Sequence, residues 1–170
     1  KHVGKILIIS PDEFYDLRIP VAATIAWHRI SRLKLYLRFL PAFPDCIFSM
    51  KLLTHLDLGG NSLRSIPESI CELTSLRYLS LRFNLLTTLP NSIGRLQALN
   101  ELHLEDNRLK TLPLTIGQLK SLRYFGLTSD QIEVLPSSVK DILDELKSQG
   151  CVIGAIYKMY IIKTEEESTT

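Results

Sequence analysis

The histidines and cysteines are the side chains of this chain best suited to act as nucleophiles, general bases or metal ligands. They are His2, His28, His55, His103, Cys46, Cys71 and Cys151. None belongs to a reactive motif, because the chain contains no P-loop, no G-x-G-x-x-G, no H-E-x-x-H and no C-x-x-C. The sequence therefore predicts no catalytic residue, no metal site and no cofactor.

The elements that position these side chains follow from a repeat of 23 residues. Five prolines stand at this fixed interval: Pro44, Pro67, Pro90, Pro113 and Pro136. A period between 20 and 50 residues indicates a chain that stacks one small unit on itself. Such an array works through the surface that it presents, and the next question is which residues form that surface.

Aligning the chain on the prolines brings nine columns of similar residues into register. One copy reads Leu76, Leu79, Leu81, Asn84, Leu86, Leu89, Pro90, Ile93 and Leu96. Five copies can be recognised between residues 30 and 144. The outer two differ at the asparagine, which is replaced by Arg38 in the first copy and by Asp130 in the last. Departure from the consensus residue is typical of terminal repeats.

The pattern L-x-x-L-x-L-x-x-N-x-L, followed by L-P-x-x-I-x-x-L, resembles the leucine-rich repeat family. The 23-residue form with proline is similar to the Ras-group intracellular scaffolds and to related bacterial proteins. A glutamate cluster at 165–167, just before a serine and threonine end, also resembles the secretion signals of leucine-rich repeat effectors from Legionella-type pathogens. The resemblance implies a protein-binding function.

The residues predict the same architecture from their chemistry. The Leu-x-Leu alternation is typical of a short strand with one buried face. The amides of Asn61, Asn84 and Asn107 can donate and accept hydrogen bonds, and we expect them to form a structural ladder along the turns. Proline followed by Ile-x-x-Leu indicates a short helical turn. The predicted fold is an α/β solenoid with a curved parallel sheet on its concave face, short helices on its convex face and caps at both ends.

The chain divides into four predicted parts. Residues 1–29 form an N-terminal cap, 30–144 the five repeats, 145–162 a C-terminal cap and 163–170 a disordered acidic tail. A longer helix is expected after Pro136, with Ser137 or Ser138 as its N-cap and Gly150 as its end.

The residues that alternate with the leucines on each strand are predicted to point out of the concave face. Those that we expect to bind a partner are Tyr36, His55, Asp57, Arg77, Tyr78, Arg82, Phe83, Glu101, His103, Glu105, Asp106 and Tyr124. Tyrosine and arginine dominate binding hot spots, which favours this interpretation. The alternative is a solvated surface in which each aromatic ring packs on its neighbour. His55 and His103 should lie two strands apart, about 10 Å, too far to share a proton or a zinc ion.

Composition restricts the partner and the compartment. A net charge of +2 on 170 residues disfavours a nucleic-acid partner. No apolar run approaches the ~20 residues of a membrane span, so no membrane partner is expected. An odd number of widely spaced cysteines predicts a cytoplasmic protein, and the effector resemblance implies translocation into the cytosol of a host cell. The unbound chain is expected to be a monomer.

Two functions remain open on the sequence. The first is a non-enzymatic module that binds one protein in its concave face and, if the effector resemblance holds, masks or inhibits a host protein or another effector. The second is the targeting fragment of a larger enzyme, such as a ubiquitin ligase or a kinase.

Overall fold

The structure is a computed structural model that describes residues 5–8, 30–36 and 39–155. The predicted N-terminal cap therefore lies, except for residues 5–8, outside the described residues. The same is true of Arg38, of residues 156–162 in the predicted C-terminal cap, and of the predicted acidic tail at 163–170.

The described strands form one parallel sheet whose strand order follows the sequence. Its strands are β1 (Lys5–Ile8), β2 (Ile30–Lys34), β3 (His55–Asp57), β4 (Tyr78–Ser80), β5 (Glu101–His103), β6 (Tyr124–Gly126) and β7 (Val152–Ile153). From β2 to β6 the pairing keeps the 23-residue period, so that Leu56, Leu79 and Leu102 stand side by side. The predicted α/β solenoid with a parallel sheet is confirmed.

Four short 3₁₀-helices cover the other side of the sheet. They span Asp45–Ser49, Glu68–Glu72, Asn91–Arg95 and Leu114–Gln118. In each one a proline precedes the first helical residue, and one isoleucine is buried against the core. The helices of neighbouring repeats pack closely. At Gly94 a Cβ atom would run into the backbone carbonyl oxygen of Thr115, so this position has no room for a side chain.

In the described part of the chain two α-helices follow β6 and precede β7, α1 (Ser129–Val134) and α2 (Ser137–Ser148). The prediction that Ser137 or Ser138 is the N-cap of the second helix is wrong. The N-cap is Pro136, no side chain caps the helix, and both serines lie inside its first turn. Gly150 adopts φ +89° just past the helix, a conformation that favours glycine.

The consensus leucines and isoleucines form a single core between the sheet and the helices. Phe125 takes the leucine position in β6 and is fully buried. Because most of the same columns are buried in every repeat, with Ile132 and Ile142 of the last repeat only partly buried, the core continues from β2 to α2 and holds the strands at a fixed register.

The asparagine amides connect each turn to the repeat before it. The Asn84 side chain accepts a hydrogen bond from the Leu63 N–H at 3.0 Å and donates to the Leu58 carbonyl at 2.9 Å. In the last repeat Gln131 donates to the Leu104 carbonyl at 2.9 Å. Asp130, which the alignment puts in this column, is exposed instead.

Candidate functional site

The concave face carries the residues that the sequence predicts to bind a partner, but it does not expose them equally. Arg77, Phe83, Glu101 and Asp106 are exposed, Tyr36, His55, Asp57, Tyr78, Arg82 and His103 are half-buried, and Glu105 and Tyr124 are buried. The expectation that Glu105 and Tyr124 point into solvent is therefore wrong. Their role in partner binding remains a proposal.

Four rings form a continuous stack across the middle of the concave face. The stack, called here the ring strip, runs through His55, Tyr78, His103 and Tyr124, with centroid distances of 5.9, 5.0 and 4.7 Å. His55 pairs in register with Tyr78, whereas His103 pairs with Ser80, two residues further along β4. The His103 ring nevertheless packs between the rings of Tyr78 and Tyr124. The Tyr78 ring therefore separates the two histidines, and successive rings after Tyr78 are tilted against each other by 44° and 41°.

The His103 ring has room for this packing because the residues paired with His103 on the two neighbouring strands are small. They are Ser80, which is fully buried, and Gly126. A Cβ atom on Gly126 would overlap the Glu105 carboxylate, so the glycine leaves the space that this carboxylate occupies. The small residues paired with His103 thus leave space for the His103 ring and the Glu105 carboxylate.

The Glu105 carboxylate is held under the ring strip by hydrogen-bond donors. The Tyr124 hydroxyl lies 2.9 Å from Glu105 Oε1 and 2.7 Å from the Gly154 carbonyl oxygen. His103 Nδ1 lies 3.5 Å from Glu105 Oε1, and His103 Nε2 lies 3.3 Å from Glu101 Oε2. One imidazole thus stands between two carboxylates.

These contacts keep the buried carboxyl group ionised. Burial by itself raises the pKa of Glu105, but the adjacent His103 imidazole, its own backbone amide and the hydrogen bond from the Tyr124 hydroxyl lower that pKa below its ordinary value. The neighbouring carboxyl group responds in the opposite direction. Burial, and then the charge of Glu105, raise the pKa of Asp106. Negative charge is therefore concentrated on β5 and on the turn that follows it.

The turns after β3, β4 and β5 each contain a residue in the left-handed region. It is Gly60 with φ 65° in one repeat, Phe83 with φ 55° in the next and Asp106 with φ 56° in the third. Glycine adopts this conformation freely, whereas for a bulky residue it costs about 1 kcal/mol or more. Phe83 nevertheless occupies the site and is 42% exposed. The strain at Phe83 was not predicted from the sequence, although the glycine in the same column was a readable signal.

At the other end of the face, Tyr36 and Asp57 are partly engaged in packing. A Cβ atom on Gly59 would lie 2.9 Å from Cδ2 of Tyr36, so the tyrosine ring rests on the glycine. Asp57 Oδ1 accepts a hydrogen bond from the Gly59 N–H at 3.0 Å. The Lys34 ammonium lies 5.8 Å from the centroid of the Tyr36 ring.

Groups that could react or hold a metal are not assembled here. Within residues 5–8, 30–36 and 39–155 no three histidine, cysteine or acidic side chains come together as a metal site. The three cysteines are free thiols. Burial raises the pKa of the Cys46 thiol and of the Cys151 thiol, which keeps them protonated. In the same described part, none of the helices combines the length and apolar character needed to cross a membrane.

Two solved structures show similarity to this chain. The chain is similar to a leucine-rich repeat protein of Leptospira interrogans, with 25% identity, a TM-score of 0.53, and coverage of 91% of this chain and 41% of that one. It also resembles the BIR2 ectodomain of Arabidopsis thaliana, with 30% identity, a TM-score of 0.47 and 56% of each chain covered.

The chain thus spans about two fifths of the Leptospira protein. No curated protein matches the sequence significantly. A family model described as a leucine-rich repeat region matches residues 51–150, which is more than half of the chain. With the 23-residue register, the parallel sheet and this match, the chain belongs to the leucine-rich repeat family.

Proposed function

We propose that this chain is a non-enzymatic module that binds one protein partner on its concave face. Leucine-rich repeat proteins generally act through protein binding, which supports the class of function. The observation that carries the proposal for this face is the exposure and backbone conformation of Phe83. Its side chain is 42% exposed in the turn after β4, the strand that carries Tyr78, although its backbone is in a conformation that glycine adopts at lower free energy. Strain of this kind is commonly retained for function.

The composition of the face supports the same proposal. Tyr78 and His103 present flat rings, and Arg77 and Glu101 are exposed beside them. Rigid aromatic rings bind at a low entropic cost, because they have few rotatable bonds to immobilise. Packing against His55 and His103 fixes the Tyr78 ring before any partner arrives. A preorganised strip, with an exposed phenylalanine in the turn after its second strand, is suited to a protein surface.

The test compares three immobilised proteins in capture from lysate with quantitative mass spectrometry. The first is the wild type and the second is Phe83→Gly, which removes the ring and suits the left-handed backbone. The third is the matched control Leu114→Ser on a convex 3₁₀-helix, where the side chain is 59% exposed. We expect Phe83→Gly to lose a partner that Leu114→Ser retains, with a loss of about 2 kcal/mol in binding. Equal capture by all three proteins would exclude the concave face as the binding site.

The remaining parts of the proposal concern the compartment, the oligomeric state and the effect of binding on the partner. We place the protein in the cytoplasm because three free thiols suit a reducing compartment. The unbound protein is a monomer in this proposal, which light scattering tests directly. Masking of a host protein after translocation rests on the sequence at 165–167 alone, and a translocation reporter in an infected cell tests it. The alternative, a targeting fragment of a larger enzyme, requires a catalytic domain in the same open reading frame.

A further inference from the structure

The hydrogen bonds of Thr54 determine which nitrogen of the His55 ring carries a proton. The Thr54 hydroxyl lies 2.8 Å from the Ser31 carbonyl oxygen and 2.9 Å from His55 Nδ1. A carbonyl oxygen can only accept, so Thr54 donates its single hydroxyl proton to Ser31. The hydroxyl oxygen must then accept from His55, and Nδ1 is the protonated nitrogen. In the neutral ring Nε2 therefore carries a lone pair.

The position of the His55 ring is fixed as well. His55 on β3 stacks on Tyr78 of β4 with a centroid distance of 5.9 Å and an angle of 19° between the ring planes. The residue is half-buried, so part of it remains exposed on the concave face, and Nε2 lies at the end of the ring farthest from the backbone. Among the described residues, none makes a hydrogen bond with Nε2. This nitrogen is thus an acceptor held in place before a partner arrives.

Charged side chains from the strands around His55 keep its ring neutral. Burial is the first cause of the lowered pKa of His55, and the charge of Arg32 on β2 is the second. Glu101 on β5 acts in the opposite direction, and Arg77, just before β4, lowers the pKa further. Because the net effect is a lowered pKa, the Nε2 lone pair persists to a lower pH than in an ordinary histidine.

We infer that Nε2 of His55 accepts a hydrogen bond from an uncharged donor of the partner, a hydroxyl or an amide group. This inference rests on the protein-binding function proposed above and names the chemistry of one contact in it. An ammonium or guanidinium group does not fit, because Arg32 and Arg77 repel it. A carboxylate can only accept, so it would require a second proton on the ring, which burial and both arginines oppose.

The inference fixes how binding depends on pH. A proton on Nε2 removes the acceptor, so the partner and the proton compete for the same lone pair. Affinity should be constant above the pKa of His55 in the free protein and should fall about tenfold for each pH unit below it. A carboxylate on the partner would give the opposite sign, because it would bind the protonated ring more tightly.

The first test determines the tautomer in the protein alone, by nitrogen NMR spectroscopy of the histidine rings. The wild type is compared with Thr54→Val and with the matched control Thr115→Val, since Thr115 also donates to a carbonyl of the preceding repeat, that of Asn91 at 2.8 Å. The His55 signals are assigned by their loss in His55→Gln. We expect an unprotonated Nε2 in the wild type and the control, and a populated Nε2–H form in Thr54→Val. A protonated Nε2 in the wild type at neutral pH overturns the inference.

The second test measures the pH dependence with peptides selected at neutral pH on the wild type from a phage-displayed random library. Peptides that lose binding with Phe83→Gly are kept, because they bind the concave face. Fluorescence anisotropy then gives their affinity from neutral pH to about pH 5, a range in which a histidine titrates. The wild type is compared with His55→Gln, which does not titrate, and with His55→Phe, which keeps a ring but has no acceptor. Circular dichroism confirms that every protein is folded at each pH.

We expect the affinity of the wild type to fall in acid by about tenfold per pH unit and that of His55→Gln to change much less. At neutral pH, His55→Phe should bind about tenfold more weakly, because the donor on the peptide is left without a partner. Affinity that rises in acid, or equal curves for the wild type and His55→Gln, overturns the inference and leaves the proposed function standing. If Phe83→Gly retains every peptide, the proposed function fails and the inference fails with it.

Discussion

The asparagine ladder allows a stability change to be worked out bond by bond. Asn84 is 4% exposed, and its side chain makes three strong contacts with the backbone. It accepts from the Leu63 N–H at 3.0 Å and donates to the carbonyl groups of Leu58 and Leu81, each at 2.9 Å. The substitution Asn84→Ala removes all three contacts and leaves the backbone groups in place.

Only one of these three groups is left without a partner. The Leu58 carbonyl also accepts from Asn61 at 2.8 Å, and the Leu81 carbonyl also accepts from Asn107 at 2.9 Å. The Leu63 N–H has no such second partner in the ladder. A buried donor without a partner costs about 1–3 kcal/mol, so we expect Asn84→Ala to lower the free energy of unfolding by about 2 kcal/mol.

Urea denaturation followed by circular dichroism measures this loss. Asn91→Ala is the matched control, since Asn91 is exposed on a 3₁₀-helix and should change stability by less than about 0.5 kcal/mol. Asn84→Asp gives a second check, because it keeps the acceptor but sets a carboxylate against two carbonyl oxygens. It should be worse than alanine at neutral pH and recover as the pH falls, since the folded state then favours the neutral carboxyl group. If Asn84→Ala equals the control, the ladder does not stabilise the turns as argued.

Three further changes follow from single contacts. Gly94→Ala should destabilise the fold by about 2 kcal/mol or more in urea, because its Cβ meets the Thr115 carbonyl oxygen; an unchanged midpoint would contradict that close approach. In the wild type, ionised Glu105 contributes stability that is fully present above the unfolded-state pKa of a glutamate and is lost as the pH falls through the lowered pKa of the folded state. Glu105→Gln should remove this contribution. The variant's free energy of unfolding should therefore depend less on pH in acid than that of the wild type, and parallel curves would refute the role of the contact with His103. Cys46 should react slowly with a thiol reagent until the protein unfolds, whereas fast native labelling would show that its burial does not protect it.

The periodic part of the fold was predictable because each repeat buries the same columns. The 23-residue spacing predicted the leucine core and the parallel register, which depend on residue type and interval alone. The last turn was not predicted, because counting in steps of 23 selects Asp130. In the structure Thr128 and Gln131 form a capping box that moves the ladder contact by one residue. The T-x-x-Q pattern was present in the sequence and was the signal that could have found it.

The candidate site was less predictable because it depends on pairs of side chains in neighbouring repeats. Alternation along β5 and β6 indicated that Glu105 and Tyr124 leave the core, and both do leave it. Glu105 and Tyr124 are nevertheless buried, because Gly126 leaves space for the Glu105 carboxylate and the Tyr124 hydroxyl donates a hydrogen bond to that carboxylate. A sequence shows a glycine in a column, but it does not show which neighbour fills the space.

The ladder also has a direction along the chain. Each asparagine side chain accepts from an N–H that lies 21 residues earlier and donates to a carbonyl that lies 26 residues earlier. Asn84 thus completes the turn of the preceding repeat as well as bonding to the Leu81 carbonyl of its own. On the ribosome, where the N-terminal residues emerge first, a repeat stays unfinished until the next asparagine has been synthesised. We therefore expect the nascent chain to become ordered one repeat behind its own synthesis, and a premature stop to leave the final turn open.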